Sequence, residues 1–332
     1  MKTRDYLSPT AIKTFYSDVN KFYCQYLSDI RVPYQEQTMP MAIGSAFDAY
    51  VKSYLHQAIY GTGFDPKYEL DTLFEEQVAE NLRDKIKPHG EYAFKVYKDS
   101  GALQDLLADL AQASESPQFE IEIRSVVKDE SLNTRILDMV LLGKPDVYYK
   151  NKEGNFVILD WKVNGWFSKS AKSPNKGYMK LRNATGITSS DPMHKECVPI
   201  YHNGAMINGK MNLEDVDADW ATQLAMYSWI LGEHVGNEFI ACIDQIVCSP
   251  NKFGGYPIVR VAEHRTKVGK DFQLETFAKC LYVWDVCKTG YIFRELSKEE
   301  SDRKCATLDE VNRMVVEGEP DNEFDSFTVK KF

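Results

Sequence analysis

Two acidic residues and a lysine stand at the two ends of a predicted β-hairpin. Asp146 follows Pro145 before the first strand, and Asp160-Trp161-Lys162 ends the second strand after thirteen intervening residues. Because side chains alternate along a strand, Asp160 and Lys162 project from the same face, and strand pairing can bring Asp146 to that face. Two carboxylates close together repel each other and suit a hard divalent cation, usually Mg²⁺ or Mn²⁺. The spacing therefore predicts a metal site with a lysine beside it.

A metal ion next to a lysine can support hydrolysis of a phosphodiester bond. The ion holds phosphate oxygens and an attacking water, and Lys162 can position or deprotonate this water and stabilise the charge of the pentavalent phosphorane. The alternative is that an acid and a lysine on one strand are solvated surface charges. In the catalytic interpretation both residues lie on an exposed face, so Asp160→Ala and Lys162→Ala should each abolish cleavage and leave the fold intact.

The residues around this trio have the pattern of a β-sheet. The turn sequence at 151–155 should join 147–149 and 156–159 as a hairpin, and Gly143 should bend the strand before Asp146. Alternating or β-type residues predict strands at 119–126, 134–142, 145–149, 239–248 and 257–263.

Helical patterns precede and follow this region. Ser8 is a candidate N-cap with Pro9 at the first helical position, and a second helix should begin near Met41. Residues 71–113 indicate more helix, with a break at Pro88-His89-Gly90. Later helices are predicted at 217–231 and 270–289.

These elements predict an α/β protein with a mixed central sheet flanked by helices and an N-terminal helical lobe. We assign residues 1–115 to the helical region, 116–290 to the core with an insertion at 163–213, and 291–332 to an acidic C-terminal tail.

The charge distribution singles out the insertion. The chain has a formal net charge of −9, whereas residues 163–213 hold seven basic and two acidic residues. Trp166, Phe167 and Tyr178 lie among the lysines and could stack on unpaired bases. The insertion is therefore either a DNA-contacting segment or a solvated loop whose lysines keep it soluble. The predicted DNA contacts are Lys169, Lys172, Lys176, Lys180 and Arg182.

Several classes of protein are disfavoured. The seven cysteines contain no C-x-x-C pair, which argues against a disulfide framework or a compact zinc site, and His194, Cys197 and His202 lack a fourth ligand at convincing spacing. No apolar run is long enough to cross a bilayer and no secretory signal opens the chain, so we expect a soluble, cytoplasmic protein without a membrane partner. No G-x-x-x-x-G-K-[ST] motor motif is present.

The trio belongs to a longer series of motifs. Gly143-Lys144-Pro145-Asp146 has the form G-x-x-D, and Gln223 and Tyr227 have the form Q-x-x-x-Y on a later helix. Residues 7–10 and Gly44-Ser45-Ala46-Phe47-Asp48 occupy the places of an opening helix and a G-x-x-x-H element. In this order the chain resembles the PD-(D/E)XK nucleases over about residues 7–263, and specifically their RecB-like and phage-type exonuclease branch.

The resemblance implies a restriction-endonuclease-like core and a Mg²⁺- or Mn²⁺-dependent deoxyribonuclease, in particular an exonuclease acting in DNA recombination or degradation. It implies DNA as substrate and a single-strand annealing or single-strand-binding protein as a partner. The catalytic residues would be Asp146, Asp160, Lys162, Gln223 and Tyr227. The alternative is a non-catalytic nuclease-fold protein that binds DNA or regulates its processing.

The implied metal ligands are Asp48, Asp146, Asp160 and the backbone carbonyl of Trp161. Asp48 stands where the branch has a histidine, and an aspartate suits a hard ion at least as well. Some relatives carry a further acid at the position of Glu120 or Glu122. Other relatives hold an iron-sulfur cluster, which we do not expect because Cys24, Cys280, Cys287 and Cys305 are too widely spaced.

Overall fold

The computed structural model describes residues 4–29, 36–119, 122–126, 139–166, 200–203, 212–249, 258–290, 292–293, 297–299 and 302. The predicted DNA-contacting residues at 169–182 and nearly all of the predicted acidic tail lie outside these ranges.

A six-stranded mixed sheet forms the centre of the molecule. Strands β4 and β5 pair antiparallel, with Val147 opposite Leu159, which confirms the predicted hairpin. Strand β5 pairs in parallel with β7, and β7 pairs antiparallel with β8. The spatial order is β1-β4-β5-β7-β8-β6, where β1 is Gln118–Phe119, β4 Val147–Lys150, β5 Phe156–Asn164, β6 Ile200–Asn203, β7 Ile240–Ser249 and β8 Ile258–Thr266.

The predicted continuous strand at 119–126 is wrong, because its two ends belong to different sheets. Phe119 of β1 pairs with Val147, whereas Ile123 of β2 (Ile123–Val126) pairs with Gly143 of β3 (Val140–Gly143) in a separate two-stranded sheet. The chain turns between β3 and β4, so the segments that pair with these two strands must also diverge. Strand β6, which lies inside the predicted insertion, was not predicted; it pairs in parallel with β8 at the sheet edge.

Helices surround the sheet as predicted. Ser8 caps the first helix by accepting a hydrogen bond from Ala11 N at 3.3 Å, as its position before Pro9 indicated. Among the described residues no helix is long and apolar enough to cross a membrane. The α-helices are α1 Pro9–Ser17, α2 Val19–Phe22, α3 Met39–Tyr60, α4 Leu70–Gln77, α5 Arg83–Asp99, α6 Ala102–Ala111, α7 Leu213–Val216, α8 Ala218–Ile230 and α9 Lys270–Thr289.

The predicted helix break at Pro88-His89-Gly90 is wrong. Pro88 lies in the second turn of α5, and the helix continues to Asp99. Gly90 is required for packing and not for a turn, since a Cβ atom there would lie 2.5 Å from the Cβ of Ala46 on α3. The helix instead ends before Gly101, whose φ of 96° is accessible to glycine at little cost.

The two faces of the sheet have different cores. We call the side covered by α1, α8 and α9 the front face and the side covered by α3, α5 and α6 the rear face. Ile158 of β5 packs into the front core, and its neighbours Leu159 and Trp161 pack into the rear core. Both faces of β5 are therefore covered, as expected for an interior strand. The division of the chain at residues 115 and 116 stays a prediction.

Candidate active site

Strand β5 carries the acid and the lysine of the predicted site. Asp160 and Lys162 are two residues apart, so strand alternation directs both to the front face. Lys162 Nζ forms an ion pair with Asp160 Oδ2, and the lysine side chain is 21% exposed. The prediction that both residues lie on an exposed face is wrong for Asp160, which is 3% exposed. Its strand lies between β4 and β7 in the sheet, so solvent reaches it poorly.

Asp146 meets this pair from the loop between β3 and β4. The register that sets Val147 opposite Leu159 brings Asp146 next to Asp160. Asp146 Oδ2 accepts a hydrogen bond from the backbone N of Trp161 at 3.0 Å, which fixes the carboxylate against β5. The structure thus brings Asp146, Asp160 and Lys162 together.

Helix α8 holds the pair from the front. Gln223 Oε1 accepts a hydrogen bond from Lys162 Nζ at 2.9 Å, and its Nε2 donates to Asp160 Oδ1 at 3.2 Å. The same Nε2 donates to Tyr227 Oη at 2.8 Å, one helical turn further on. Gln223 therefore connects both members of the ion pair and restricts where the lysine can point.

Gly143 allows α8 to come this close. A Cβ atom on Gly143 would lie 2.6 Å from Tyr227 Cδ1 and 2.7 Å from Ile230 Cδ1. These two side chains occupy the space above the end of β3, so a larger residue would move the helix. The glycine of the G-x-x-D pattern thus controls the approach of the helix that carries Gln223.

The electrostatics of the site follow from burial. Burial, assisted by the negative charge of Asp146, raises the pKa of Asp160 to about 7, although Lys162 opposes the shift. For Lys162, burial lowers the pKa, but the attraction of Asp160 outweighs it and the pKa is raised. Burial and the charge of Asp160 also raise the pKa of Tyr227, so its phenol stays protonated. The ionised form of Asp160 is therefore destabilised in this site, and a further cation beside it would stabilise that form.

Helix α3 adds a lysine that the sequence motifs did not indicate. Lys52 is 1% exposed, and its Nζ lies 2.6 Å from Asp48 Oδ2 and 3.3 Å from Asp146 Oδ1. The missed signal was the spacing: Lys52 follows Asp48 by one helical turn and falls between the buried residues Val51 and Ser53. A lysine within the buried stripe of a helix must have a charged partner.

The donor set fits a divalent cation. Asp146 and Asp160 offer carboxylate oxygens side by side, the donor type preferred by Mg²⁺ and Mn²⁺. Asp160 Oδ2 is buried and in contact with the Lys162 ammonium. Among the described residues, no three His, Cys, Asp or Glu side chains are grouped closely enough to hold one metal ion. The geometry therefore supports two carboxylate ligands, while ligation by Asp48 and by the Trp161 carbonyl stays a prediction.

The site opens into a groove of about 1660 Å³ on the front face. Lys162, Gln223 and Tyr227 contribute to its wall, and polar side chains from Asn164 and Gln245 extend it along the sheet. Residues of helix α1 also line the groove. A polymer lying in this groove would reach the Lys162 ammonium without entering a closed cavity.

Of the remaining predicted site residues, some lie in the described part of the chain and others lie outside it. Glu122 is exposed at the groove and forms an ion pair with Arg124 at 3.2 Å. His202 belongs to the edge strand β6. The residues outside the described ranges are Glu120, Lys169, Lys172, Lys176, Lys180, Arg182, His194 and Cys197.

A second buried charge cluster lies behind β5 and was also missed by sequence reasoning. Asp244 of β7 is fully buried and accepts hydrogen bonds from Arg265 Nη1 at 2.6 Å and from Tyr97 Oη. Tyr97 Oη in turn accepts a hydrogen bond from Trp161 Nε1 at 3.2 Å. Arg265 also contacts Glu263. The available signal was an acid within the mainly apolar sequence of β7, an interior strand of the sheet.

A family model of the PD-(D/E)XK nuclease superfamily matches residues 6–177. The match covers just over half of the 332 residues and includes Asp146, Asp160 and Lys162 as well as Asp48. No curated protein gives a significant match to the chain. The mixed sheet flanked by helices, with a helical N-terminal region, is the restriction-endonuclease-like fold of this superfamily. On the length of this match and the fold that accompanies it, the chain belongs to the PD-(D/E)XK nuclease superfamily.

Proposed function

We propose that this chain is a divalent-metal-dependent deoxyribonuclease, and specifically a phage-type exonuclease that degrades DNA from an end. The observation that carries the proposal is the ion pair of the buried Asp160 with Lys162. The pair lies beside Asp146 and is joined by Gln223, and Lys162 and Gln223 line an open groove. A solvated surface pair would not be held by a third side chain in this way.

Each residue has a defined task. Lys162 is protonated and directed by Gln223, so its ammonium can orient an attacking water and stabilise negative charge on the phosphorane. Gln223 is a positioning residue for Lys162 and Asp160. Tyr227, a protonated phenol that accepts from Gln223, can donate to a phosphate oxygen in the groove.

Asp146 and Asp160 would hold the metal, with the Trp161 carbonyl as a further oxygen donor. A divalent cation held there supplies Lewis-acid polarisation of the phosphate and a more acidic water. The hydrogen bond from Trp161 N leaves Asp146 Oδ2 fixed in direction, because the donor is part of β5. Asp160 is therefore presented by β5, and Asp146, from the residue directly before β4, is held against β5 by this hydrogen bond.

The substrate would lie in the front groove. With a net charge of −9 the protein needs local cations to hold a polyanion, and Lys13, Lys144 and Lys279 line the groove together with Lys162. We propose that Lys169, Lys172, Lys176, Lys180 and Arg182 add contacts to the DNA backbone, since residues 163–213 follow directly on β5.

The resemblance to phage-type exonucleases supports a role in recombination. In that role the enzyme would resect DNA ends for a single-strand annealing or single-strand-binding protein, and it would act in the cytoplasm where such DNA is found.

The test compares end-labelled linear DNA with closed circular DNA, each incubated with the protein and Mg²⁺, Mn²⁺ or a chelator. We expect the linear substrate to be degraded from its ends with either ion, the circle to persist, and the chelator to stop the reaction. Cleavage of the circle would show that the protein is an endonuclease and not an exonuclease. If the protein binds DNA but cleaves it under none of these conditions, the proposed enzymatic activity is wrong. The alternative, a non-catalytic nuclease-fold protein, is then favoured.

A further inference from the structure

The charge balance of the site depends on a lysine that belongs to none of its motifs. The Lys52 side chain is 1% exposed, and its ammonium lies between Asp48 Oδ2 at 2.6 Å and Asp146 Oδ1 at 3.3 Å. A buried ammonium is retained only where carboxylates compensate its loss of hydration. Both carboxylates are 19% exposed, so water has limited access to them.

This lysine occupies the space between two of the three aspartates implied as metal ligands. A divalent ion bound by Asp48 and Asp146 together would have to displace the ammonium or sit next to it. Displacement would separate the buried Lys52 ammonium from both of these carboxylates, and close approach of the two cations is repulsive. Asp146 can still turn a lone pair toward Asp160, since each carboxylate oxygen has two acceptor positions.

The sum of charges favours a single ion. Among the described ion pairs of the site, three carboxylates (Asp48, Asp146 and Asp160) stand against two ammonium groups (Lys52 and Lys162), which leaves one net negative charge. One divalent ion together with one phosphodiester anion brings this cluster to neutrality. Two divalent ions with the same anion would leave a net charge of two positive units in a partly buried site.

We infer that Lys52 is a built-in cation of the site, standing where a second metal ion would otherwise bind, so that the site takes one divalent ion held by Asp146 and Asp160. Asp48 is then the residue that positions Lys52. This inference rests on the proposed metal-dependent function and specifies its metal stoichiometry.

The experiment counts Mn²⁺ ions by electron paramagnetic resonance of the free ion, with the full chain in the absence of DNA. The Asp146→Asn variant serves as the baseline, so that ions bound elsewhere on this acidic protein cancel in the difference. We expect one site ion for the wild type and two for Lys52→Met, which keeps the length of the side chain and removes its charge. Lys52→Arg, which keeps the charge, should bind one ion.

A matched control is Lys150→Met. Lys150 is partly buried and, like Lys52, is paired with an acid, Glu115, at 2.5 Å. It lies at the end of β4 that is far from Asp146. This variant should bind the same single ion as the wild type, which shows that loss of a paired lysine does not by itself create a metal site.

Two site ions in the wild type would overturn the inference and return Asp48 to the ligand set, with the proposed nuclease function intact. A count of one for Lys52→Met would also overturn it. Binding of no Mn²⁺ by the wild type would instead contradict the metal-dependent function itself. If Lys52→Met does not fold, the counts for the wild type and Lys52→Arg still decide between one ion and two.

Discussion

The two faces of the central sheet each carry a cluster of buried charges, but only the front cluster borders the large groove. On the rear face Asp244 is fully enclosed, and its partner Arg265 is 15% exposed. On the front face Asp160 is equally buried, but the Lys162 side chain beside it reaches the groove. The sheet thus has an ionic cluster beside a small pocket on its rear face and one beside the large groove on its front face.

The clusters also differ in how the carboxylate is satisfied. Asp244 accepts from both the guanidinium of Arg265 and the phenol of Tyr97, two donors of fixed geometry. Asp160 has one amide donor and one ammonium neighbour, and burial with Asp146 nearby raises its pKa to about 7. Buried charge alone therefore does not identify an active site. A buried carboxylate that lies beside a second carboxylate, and whose partners line a groove, is the more specific sign.

The strongest test of this difference is to remove the charge of each front residue while keeping its shape. Asp160→Asn and Lys162→Met should each lower the cleavage rate by about a thousand-fold or more, since a general acid-base group alone contributes on the order of 10² to 10⁴. The rate is measured in single turnover on end-labelled linear DNA at saturating Mn²⁺.

Lys150→Met is the control for loss of a paired lysine and should cleave as the wild type does. Because Asp160 is buried, circular dichroism at the assay temperature must show that each variant is folded. A folded variant that cleaves at nearly the wild-type rate would remove its residue from the catalytic set.

Removing a charge from the rear cluster should lower the stability of the protein and leave its cleavage activity intact. Arg265→Met leaves Asp244 buried without its main charged partner, which should lower the free energy of unfolding by about 3–5 kcal/mol. Denaturant titration followed by tryptophan fluorescence measures this change. The folded fraction should still cleave DNA, because Arg265 contacts no residue of the front site in the described structure.

The double variant Asp244→Asn with Arg265→Met sharpens the comparison. It removes the charges of Asp244 and Arg265, so it should be more stable than Arg265→Met alone, as expected when most of the loss comes from the unpaired Asp244. Glu263 loses its contact with Arg265 in both variants. A loss below about 1 kcal/mol for Arg265→Met would mean that the rear cluster is solvated and the contrast between the faces is wrong.

Elements marked by a local sequence pattern could be predicted from the sequence. Elements whose form depends on contacts between distant residues could not. The turn sequence at 151–155 and the alternation of β5 predicted the hairpin and the shared face of Asp160 and Lys162. Pro88 was misjudged because its cost as a helix breaker is offset by packing of α5 on α3, which depends on Gly90 and a residue 44 positions away, Ala46. Sequence spacing gives no access to such a contact.

The same limit applies to the site. Asp146, Asp160, Lys162 and Gln223 could be predicted because each lies in a motif with local spacing. Lys52 could not be assigned, since its second partner, Asp146, lies 94 residues further along the chain. Its burial and its two carboxylates exist only once α3 packs beside the β3–β4 loop.

The smallest expected effect is a pH dependence that only the front cluster should show. The pKa of Asp160 is about 7, raised by burial and by Asp146, whereas an ordinary aspartate has a pKa near 4. A metal ion binds the ionised carboxylate, so below pH 7 a proton must first leave. The apparent affinity for Mn²⁺ should therefore fall about tenfold for each pH unit below about 7 and stay constant above it.

Titration of metal binding by calorimetry at pH 6, 7 and 8 would measure this, with Asp160→Asn as a non-titrating control that binds weakly at every pH. Constant affinity down to pH 6 would show that Asp160 is ionised without the metal, and that the front carboxylate is as well satisfied as the rear one.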